Sequence, residues 1–235
     1  HLWRTEERRW VKYTGLIALV AVILQGIMGG LRVTGRFTLS TAHEDMAPSL
    51  LLAMIHGVFG QVFFGLLVAI ATLTHPLWKS PEPPPVERKG AGTDRSHTAA
   101  LAVIVIMQIA TGAWLRHFNR GVELHITLAV ITAALALGFG ARAWGLYGDL
   151  APLKQSGRFL VLAVCVQMIL GLTALFAVGV GLPPPEHPNL LQLTIPTAHQ
   201  AFGAMVLGGA VALALWSRRL LKPREICLAQ SSKNT

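Results

Sequence analysis

Residues 195–203 read I-P-T-A-H-Q-A-F-G, and they open an apolar stretch that continues to Trp216. His199 lies inside this stretch, among side chains that suit a lipid environment. A buried imidazole is costly in apolar surroundings unless it is hydrogen-bonded or ligates a metal. The stretch therefore raises two questions: which fold buries His199, and what its side chain binds there.

The composition of the whole chain indicates a membrane protein. Of 235 residues, 53% are hydrophobic and only 13% are charged, whereas a soluble domain carries about 25% charged residues. The apolar residues form blocks of about 20, long enough for a helix to cross a bilayer, and a helix satisfies its own backbone there. The sequence therefore predicts an all-α polytopic membrane helix bundle of six transmembrane helices. The predicted spans are 13–31, 47–73, 98–115, 122–141, 159–182 and 195–216.

The net charge of +9 is distributed unevenly between the two sides of the predicted bundle. Sixteen Lys and Arg residues lie in the two termini and in the loops after the second and fourth spans, while the other three loops hold four. This positive-inside bias predicts a multi-pass protein of the inner (plasma) membrane with both termini in the cytoplasm. It also explains the basic charge without nucleic-acid binding.

A proline-rich, charged stretch over residues 80–92 predicts a stiff, solvated linker between two parts of the chain. The predicted organisation is a helix pair at 1–78, the linker at 79–97, a four-helix part at 98–222 and a polar tail at 223–235. Cys165 lies within the fifth span and Cys227 in the tail, so no disulfide is expected.

A repeat of helix pairs organises the six spans. In each pair the first helix carries Gln-x-x-x-Gly, and the second carries His followed four residues later by a small residue. The first helices contain Gln25 and Gly29, Gln108 and Gly112, and Gln167 and Gly171. The second helices contain His56 and Gly60, His125 and Ala129, and His199 and Gly203.

The three histidines are the candidate metal ligands. Topology places His56, His125 and His199 in the same half of the membrane, and two histidines from facing helices commonly hold a heme iron from both sides. The small residue four positions later is expected to leave room for a flat macrocycle. The alternative interpretation is that each histidine only hydrogen-bonds a neighbouring helix. His125 with His199 is the favoured pair, and His56 with His199 stays open.

Arginines and glutamines add a second group of candidate cofactor-binding residues. Arg32 and Arg116 lie on the same helix faces as Gln25 and Gln108, at the outer helix ends. The planar guanidinium suits carboxylates, so these arginines are expected to bind heme propionates; simple anchoring at the interface is the alternative. Gln108 and Gln167 are expected to hydrogen-bond across helices, while their glycines allow close helix packing.

The order of these motifs resembles the heme A synthase family. The runs LQGIMGGLRVT (24–34) and IHGVFGQVFF (55–64) are similar to the third and fourth helices of that family. MQIATGAWLRH (107–117) and ELHITLA (123–129) resemble its fifth and sixth helices. QMILGLTALF (167–176) and TAHQAFGA (197–204) resemble its seventh and eighth. The resemblance covers nearly all of residues 8–220.

The resemblance implies an oxidoreductase that converts a ring methyl of heme O to the formyl group of heme A for cytochrome oxidase biogenesis. It implies a heme b between His125 and His199 in the C-terminal four helices, and heme O and heme A as substrate and product near His56. Implied partners are the lipid bilayer, heme O synthase or cytochrome oxidase subunits, and a quinone as electron acceptor. No catalytic residue is assigned.

This sequence departs from the family in one respect. The family has eight helices, and the first pair, with the glutamate of its E-x-x-x-H motif, has no counterpart among the six spans. Three explanations are open: a natural N-terminus further upstream, which the opening on His1 favours; a first pair supplied by another polypeptide; or a homologue that does not make heme A. The rival functions are a non-catalytic bis-histidine cytochrome b subunit of a respiratory complex, and a heme-free scaffold for oxidase assembly.

Overall fold

A computed structural model describes residues 2–34, 50–81, 84–179 and 189–223. In this part of the chain, six long helices account for nearly all regular structure, which confirms the predicted all-α bundle. The elements are α1 (Leu2–Thr5), α2 (Arg9–Thr34), α3 (Leu50–Thr74), α4 (Pro76–Lys79), β1 (Val86–Arg88), α5 (Ala91–Phe118), α6 (Val122–Leu146), α7 (Ala151–Val178), α8 (Leu190–Leu220) and β2 (Leu221–Pro223). By length and composition, α2, α3 and α5–α8 can each cross a membrane.

The helices are longer than most of the spans predicted from hydropathy, because polar residues at their ends still form helical turns. The clearest case is α8, which begins five residues before the predicted span. Asn189 and Gln192 form a reciprocal capping box at its start. Pro196 lies inside α8, as membrane helices tolerate. At the end of α7, Gly179 adopts a left-handed conformation (φ 65°), and residues 180–182 of the predicted fifth span lie outside the described residues.

Helix α8 occupies the centre of the packing. Helices α5, α6, α7 and α8 form a four-helix ring in which each contacts its two neighbours, so α6 and α8 lie on a diagonal. Helix α3 packs against α8 and α5, and α2 packs against α3. Leu207, Leu213 and Leu220 of α8 are fully buried. The interior of the four-helix ring is therefore packed along the second half of α8, and the α2/α3 pair lies along one side of the ring.

Part of the predicted linker is folded, which corrects the expectation of a solvated segment without packing. Val86–Arg88 forms strand β1, which pairs in parallel with β2 directly after α8, with Val86 opposite Leu221. Val86 also packs against the buried core. The apolar Val86 explains the difference, since it can enter the core where its charged neighbours cannot. The strand pair connects the linker to the end of α8.

The two ends of the bundle differ in chemistry. We define the histidine end as the end at which α2, α5 and α7 finish and α3, α6 and α8 begin. The opposite, basic end carries most of the Lys and Arg residues. Cys165 is a free, exposed thiol on α7. Cys227 lies outside the described residues, as do residues 35–46 of the predicted first loop and residues 47–49 of the predicted second span.

Candidate functional site

Each helix pair brings its glutamine against its histidine. Gln25 Nε2 lies 3.4 Å from His56 Nε2, and Gln167 Nε2 lies 3.4 Å from His199 Nε2. Gln108 Nε2 lies 3.0 Å from His125 Nδ1. We call these six side chains the glutamine–histidine layer. The identical spacing in sequence therefore produces the same contact three times.

The glutamines also bond across the helices, as predicted from the sequence. Gln25 Nε2 donates to the backbone oxygen of His56 at 3.1 Å, and Gln108 Nε2 donates to that of His125 at 3.2 Å. These bonds fix the amide nitrogen towards the histidine. Thr111 supplies a further contact, with its hydroxyl 3.3 Å from His125 Nδ1.

The glycines of the Gln-x-x-x-Gly motifs make space for the imidazoles. A Cβ atom on Gly112 would lie 2.9 Å from Cε1 of His125, and one on Gly171 would lie 2.8 Å from Cε1 of His199. Gly29 has the same relation to His56 at 3.3 Å. At Gly112 and Gly171 a larger side chain would force the imidazole to move, whereas at Gly29 a shift of a few tenths of an ångström would suffice.

The small residues after the histidines have a different role from the one expected. We expected them to leave room for a flat macrocycle. Instead, a Cβ atom on Gly60 would lie 2.8 Å from Gln25 Nε2, and one on Gly203 would lie 3.5 Å from Gln167 Nε2. The glutamine amides occupy this space because the two motifs pack against one another reciprocally.

His125 and His199 face each other across the four-helix ring. Their ring centroids are 6.4 Å apart and their planes are nearly perpendicular, at 84°. They meet because α6 and α8 lie on the diagonal of the ring. This is the pair that the sequence favoured, and no such contact between His56 and a second histidine occurs among the described residues.

Two arginines converge at the histidine end. Arg116 donates to Gln200 Oε1 at 2.8 Å and to the backbone oxygen of Pro196 at 3.4 Å. Arg32 lies close enough for its charge to act on Arg116 and on His117. Neither arginine forms a salt bridge with a carboxylate in the described ranges. The structure thus brings two cations together without a protein anion between them.

The glutamine–histidine layer holds most of the buried polar atoms that lack a hydrogen-bond partner. Eight such side-chain atoms occur in the described part of the chain, and six of them belong to the layer or to Gln61 beside it. They are Gln25 Oε1, His56 Nδ1, Gln61 Oε1, Gln108 Oε1, Gln167 Oε1 and His199 Nδ1. Unpartnered buried polar atoms destabilise a fold, so their concentration in one layer indicates a functional site.

Two glutamines that the sequence reading missed join the α2/α3 pair to the four-helix ring. A Cβ atom on Gly203 of α8 would lie 3.5 Å from Gln61 Oε1, and one on Gly57 of α3 would lie 3.6 Å from Gln200 Nε2. Each glutamine thus lies over a glycine of the opposite helix. The signal was available, because an amide inside an apolar span is itself unusual.

A second polar cluster lies at the basic end and was also missed. Arg142 Nε donates to Asp94 Oδ1 at 2.7 Å, and the hydroxyl of Tyr147 donates to Asp94 Oδ2. Asp94 and Tyr147 are buried. Burial, reinforced by the hydrogen bond to Asp94, raises the pKa of Tyr147 to about 12. Every member has a partner, so this cluster joins α5 to α6 and to the segment that follows α6.

The fold and the glutamine–histidine layer together define the class of protein. The chain is a multi-pass helical membrane protein in which a glutamine–histidine contact is repeated. No protein-family model, curated protein or solved structure matches the chain. The resemblance to the heme A synthase family therefore rests on the six quoted motifs and their order. Among the described residues, no group of three or more His, Cys, Asp and Glu side chains could hold a metal ion. A metal at the layer would therefore depend on two imidazoles.

Proposed function

We propose that this chain is a heme-binding integral membrane protein that holds a heme b between His125 and His199. The observation that carries the proposal is the 6.4 Å separation of their ring centroids. Two imidazoles that bind one metal from opposite sides, with metal–nitrogen bonds of about 2 Å, have centroids roughly 6 Å apart. The donor set and its spacing therefore fit an iron with two axial histidines.

Gln108 and Gln167 are suited to orient these two ligands. A metal-binding imidazole usually donates the proton on its other ring nitrogen to an acceptor. Gln108 Oε1 and Gln167 Oε1 are buried and have no donor. If the Gln108 amide rotated by half a turn, its Oε1 would lie beside His125 Nδ1. The bond from Gln108 Nε2 to the His125 backbone oxygen would then be lost. The unpartnered oxygens thus supply the acceptors that a ligated pair needs.

Arg116 and Arg32 are suited to bind the heme propionates. Both are cationic, lie at the histidine end and have no carboxylate partner in the described part of the chain. Two propionates would neutralise the two converging charges through charge-assisted hydrogen bonds. Gln200 holds Arg116 in place for this contact.

The activity that we propose is that of heme A synthase, namely oxidation of a methyl group of heme O to a formyl group for cytochrome oxidase biogenesis. His56, whose Nδ1 is buried and unpartnered, is the residue that would meet the substrate heme. When bound, the heme b would supply electron transfer from the substrate to an acceptor such as a quinone. The charge distribution supports an inner-membrane location with both termini cytoplasmic.

A second candidate function is electron transfer without catalysis, as in a cytochrome b subunit of a respiratory complex. One observation favours it. His125 and His199 face each other and would together supply both ligands of one iron, whereas His56 faces no second histidine within the described ranges. An electron-transfer protein needs only the complete pair.

The test is a reduced-minus-oxidised visible spectrum of the purified protein, with heme extraction and typing. We expect a low-spin b-type signal that His125→Ala and His199→Ala each abolish. His56→Ala is the matched control, since it removes an imidazole with the same glutamine contact, and it should preserve the signal. Heme O or heme A in the extract would support the synthase, and heme b alone would support the cytochrome.

Two results would contradict the proposal. A folded protein purified without any heme would leave the three histidines as packing residues. Loss of the low-spin signal in His56→Ala, with the signal retained in His125→Ala, would place the heme at another pair of ligands.

A further inference from the structure

Two reciprocal contacts between a glutamine and a glycine join α3 to α8. Both helices begin at the histidine end, so they run in the same direction, and each directs one glutamine towards the other. Gln200 Nε2 of α8 lies 3.6 Å from the Cβ position of Gly57. Gln61 Oε1 of α3 lies 3.5 Å from the Cβ position of Gly203. Amide groups therefore lie at two levels of the interface between these helices.

The two amides differ in their hydrogen bonds. Gln200 Oε1 accepts a bond from Arg116 at 2.8 Å. Gln61 Oε1 is buried and has no donor among the described residues. An unpaired oxygen in an apolar interior lowers stability, and an apolar side chain of similar size would avoid this loss. The amide at position 61 therefore indicates a hydrogen bond that forms in another state of the protein.

The amide of Gln167 reaches the same glycine from α7. Gln167 Nε2 lies 3.5 Å from the Cβ position of Gly203, which is also the distance of Gln61 Oε1 from that point. Because glycine has no side chain, nothing from α8 itself separates the two amides there. Gln167 Nε2 also lies 3.4 Å from His199 Nε2. The Gln167 amide is therefore adjacent both to the imidazole and to the space that Gln61 Oε1 faces.

Metal binding by His199 would change what this imidazole requires from Gln167. A metal-binding imidazole donates its remaining N–H and therefore needs an oxygen beside it. Gln167 Oε1, which is buried and unpaired, meets this need if the amide rotates by half a turn. The rotation turns Gln167 Nε2 away from the imidazole, so this nitrogen then needs an acceptor. Gln61 Oε1 is such an acceptor, and one rotation thus gives partners to both unpaired oxygens.

We propose that Gln61 is a positioning residue that acts through Gln167 on His199 when His199 serves as an iron ligand. The N–H of His199 donates to Gln167 Oε1, and Gln167 Nε2 donates to Gln61 Oε1. Hydrogen bonds in such a chain polarise one another, which makes the imidazole a stronger ligand and favours oxidised iron. The chain also connects α3, the helix of His56, to the ligand pair in the four-helix ring. This inference rests on the proposed heme site.

The test is the midpoint potential of the low-spin heme, measured by spectroelectrochemical titration of the purified full chain. Gln61→Leu removes the acceptor and should raise the potential. The preference for oxidised over reduced heme should fall roughly threefold to tenfold, which is about 30–60 mV for a one-electron couple. Gln61→Glu keeps an oxygen acceptor at the same reach, so its potential should stay at or below the wild-type value.

A double-mutant cycle tests whether Gln61 acts through Gln167. Gln167→Leu breaks the chain next to the ligand and should raise the potential at least as much as Gln61→Leu. Adding Gln61→Leu to Gln167→Leu should cause no further shift, because the chain is already broken. Gly65→Ala is the packing control, since its Cβ would lie 3.3 Å from Leu207 and would alter the α3–α8 interface without touching an amide. Its potential should equal that of the wild type.

The outcomes separate this inference from the heme site on which it rests. An unchanged potential in Gln61→Leu, or shifts that add in the double variant, would overturn the chain of hydrogen bonds. If His125→Ala still abolished the heme signal in that case, the proposed heme site would stand. A folded protein without heme would contradict both proposals.

Discussion

The two ends of the bundle differ in how many of their buried polar groups are paired, although Arg88 Nε at the basic end also lacks a partner. At the basic end the buried carboxylate of Asp94 is paired with Arg142 and Tyr147. The buried carboxylate of Glu6 is bonded to Arg8 at 2.8 Å and to Lys79 at 3.0 Å. At the histidine end, six buried polar atoms have no partner. Polar clusters whose members are all hydrogen-bonded stabilise a fold. Buried polar atoms without partners lower the stability of the fold, and a bound group that hydrogen-bonds them could remove this loss.

The electrostatics of the basic end fit a structural role. The hydrogen bond from Arg8 holds the pKa of Glu6 well below its usual range, assisted by Lys79. Arg8 also donates to the backbone oxygen of Leu73 at 2.7 Å, so Glu6 joins the N-terminal segment to the end of α3. These contacts pair each buried carboxylate with cationic side chains.

The largest effect on stability should come from breaking the Asp94 cluster. Asp94→Ala leaves Arg142 without its anion and Tyr147 without its acceptor, and removal of one partner of a buried ion pair costs several kcal/mol. Because Arg142 is 40% exposed, we expect about 2–3 kcal/mol, measured as lost free energy of unfolding in mild detergent. The comparison is Gln108→Leu, which removes an amide at the other end whose nitrogen bonds to His125 and whose oxygen has no partner.

In heme-free protein, Gln108→Leu should lower the free energy of unfolding by about 1 kcal/mol or less, because the lost bonds from Nε2 to His125 are partly offset by removal of a buried oxygen that has no donor. Equal losses in Asp94→Ala and Gln108→Leu would show that the two ends do not differ in the way the contacts indicate.

A smaller effect is expected from the glycine that receives His199. Alanine usually stabilises a helix by about 0.5–1 kcal/mol relative to glycine. In Gly171→Ala the new Cβ would lie 2.8 Å from the imidazole, so we expect a net loss of about 1–2 kcal/mol and displacement of the ring. Gly138→Ala is the matched control, since nothing lies within 4 Å of its Cβ position. Thermal unfolding of both variants measures the difference, and a gain in Gly171→Ala equal to that in Gly138→Ala would exclude the tight contact.

A further effect concerns alkaline pH. The fold raises the pKa of Tyr147 from about 10 to about 12, so the folded state holds this proton more tightly than the unfolded state. The resulting stabilisation is fully present below pH 10 and is lost as the pH rises from about 10 to about 12. Tyr147→Phe should lack this component, so the difference in Tm between wild type and variant should narrow over that interval. A constant difference in Tm would contradict the assignment.

The helices were predictable from sequence, but some of their contacts were not. Apolar blocks such as 122–141 identify membrane helices because lipid offers the backbone no hydrogen-bond partners. The sequence predicted that Gln108 bonds across helices, but it did not identify His125 as the partner. The Asp94–Arg142 pair did not follow, because its members are 48 residues apart on different helices. Strand β1 was not predicted, because Val86 is a single apolar residue in a proline-rich segment.

The sequence by itself determined six helices, their order in three pairs and the repeated placement of glutamine and histidine, because these depend on hydropathy and on spacing along one helix. Only the tertiary structure decided that His125 and His199 face each other while His56 does not. It also decided that glutamine amides, rather than open space, lie over Gly60 and Gly203. The physical reason is that the helical repeat determines on which face of its own helix a residue lies. Which residues contact that face depends on how α6 and α8 pack across the ring.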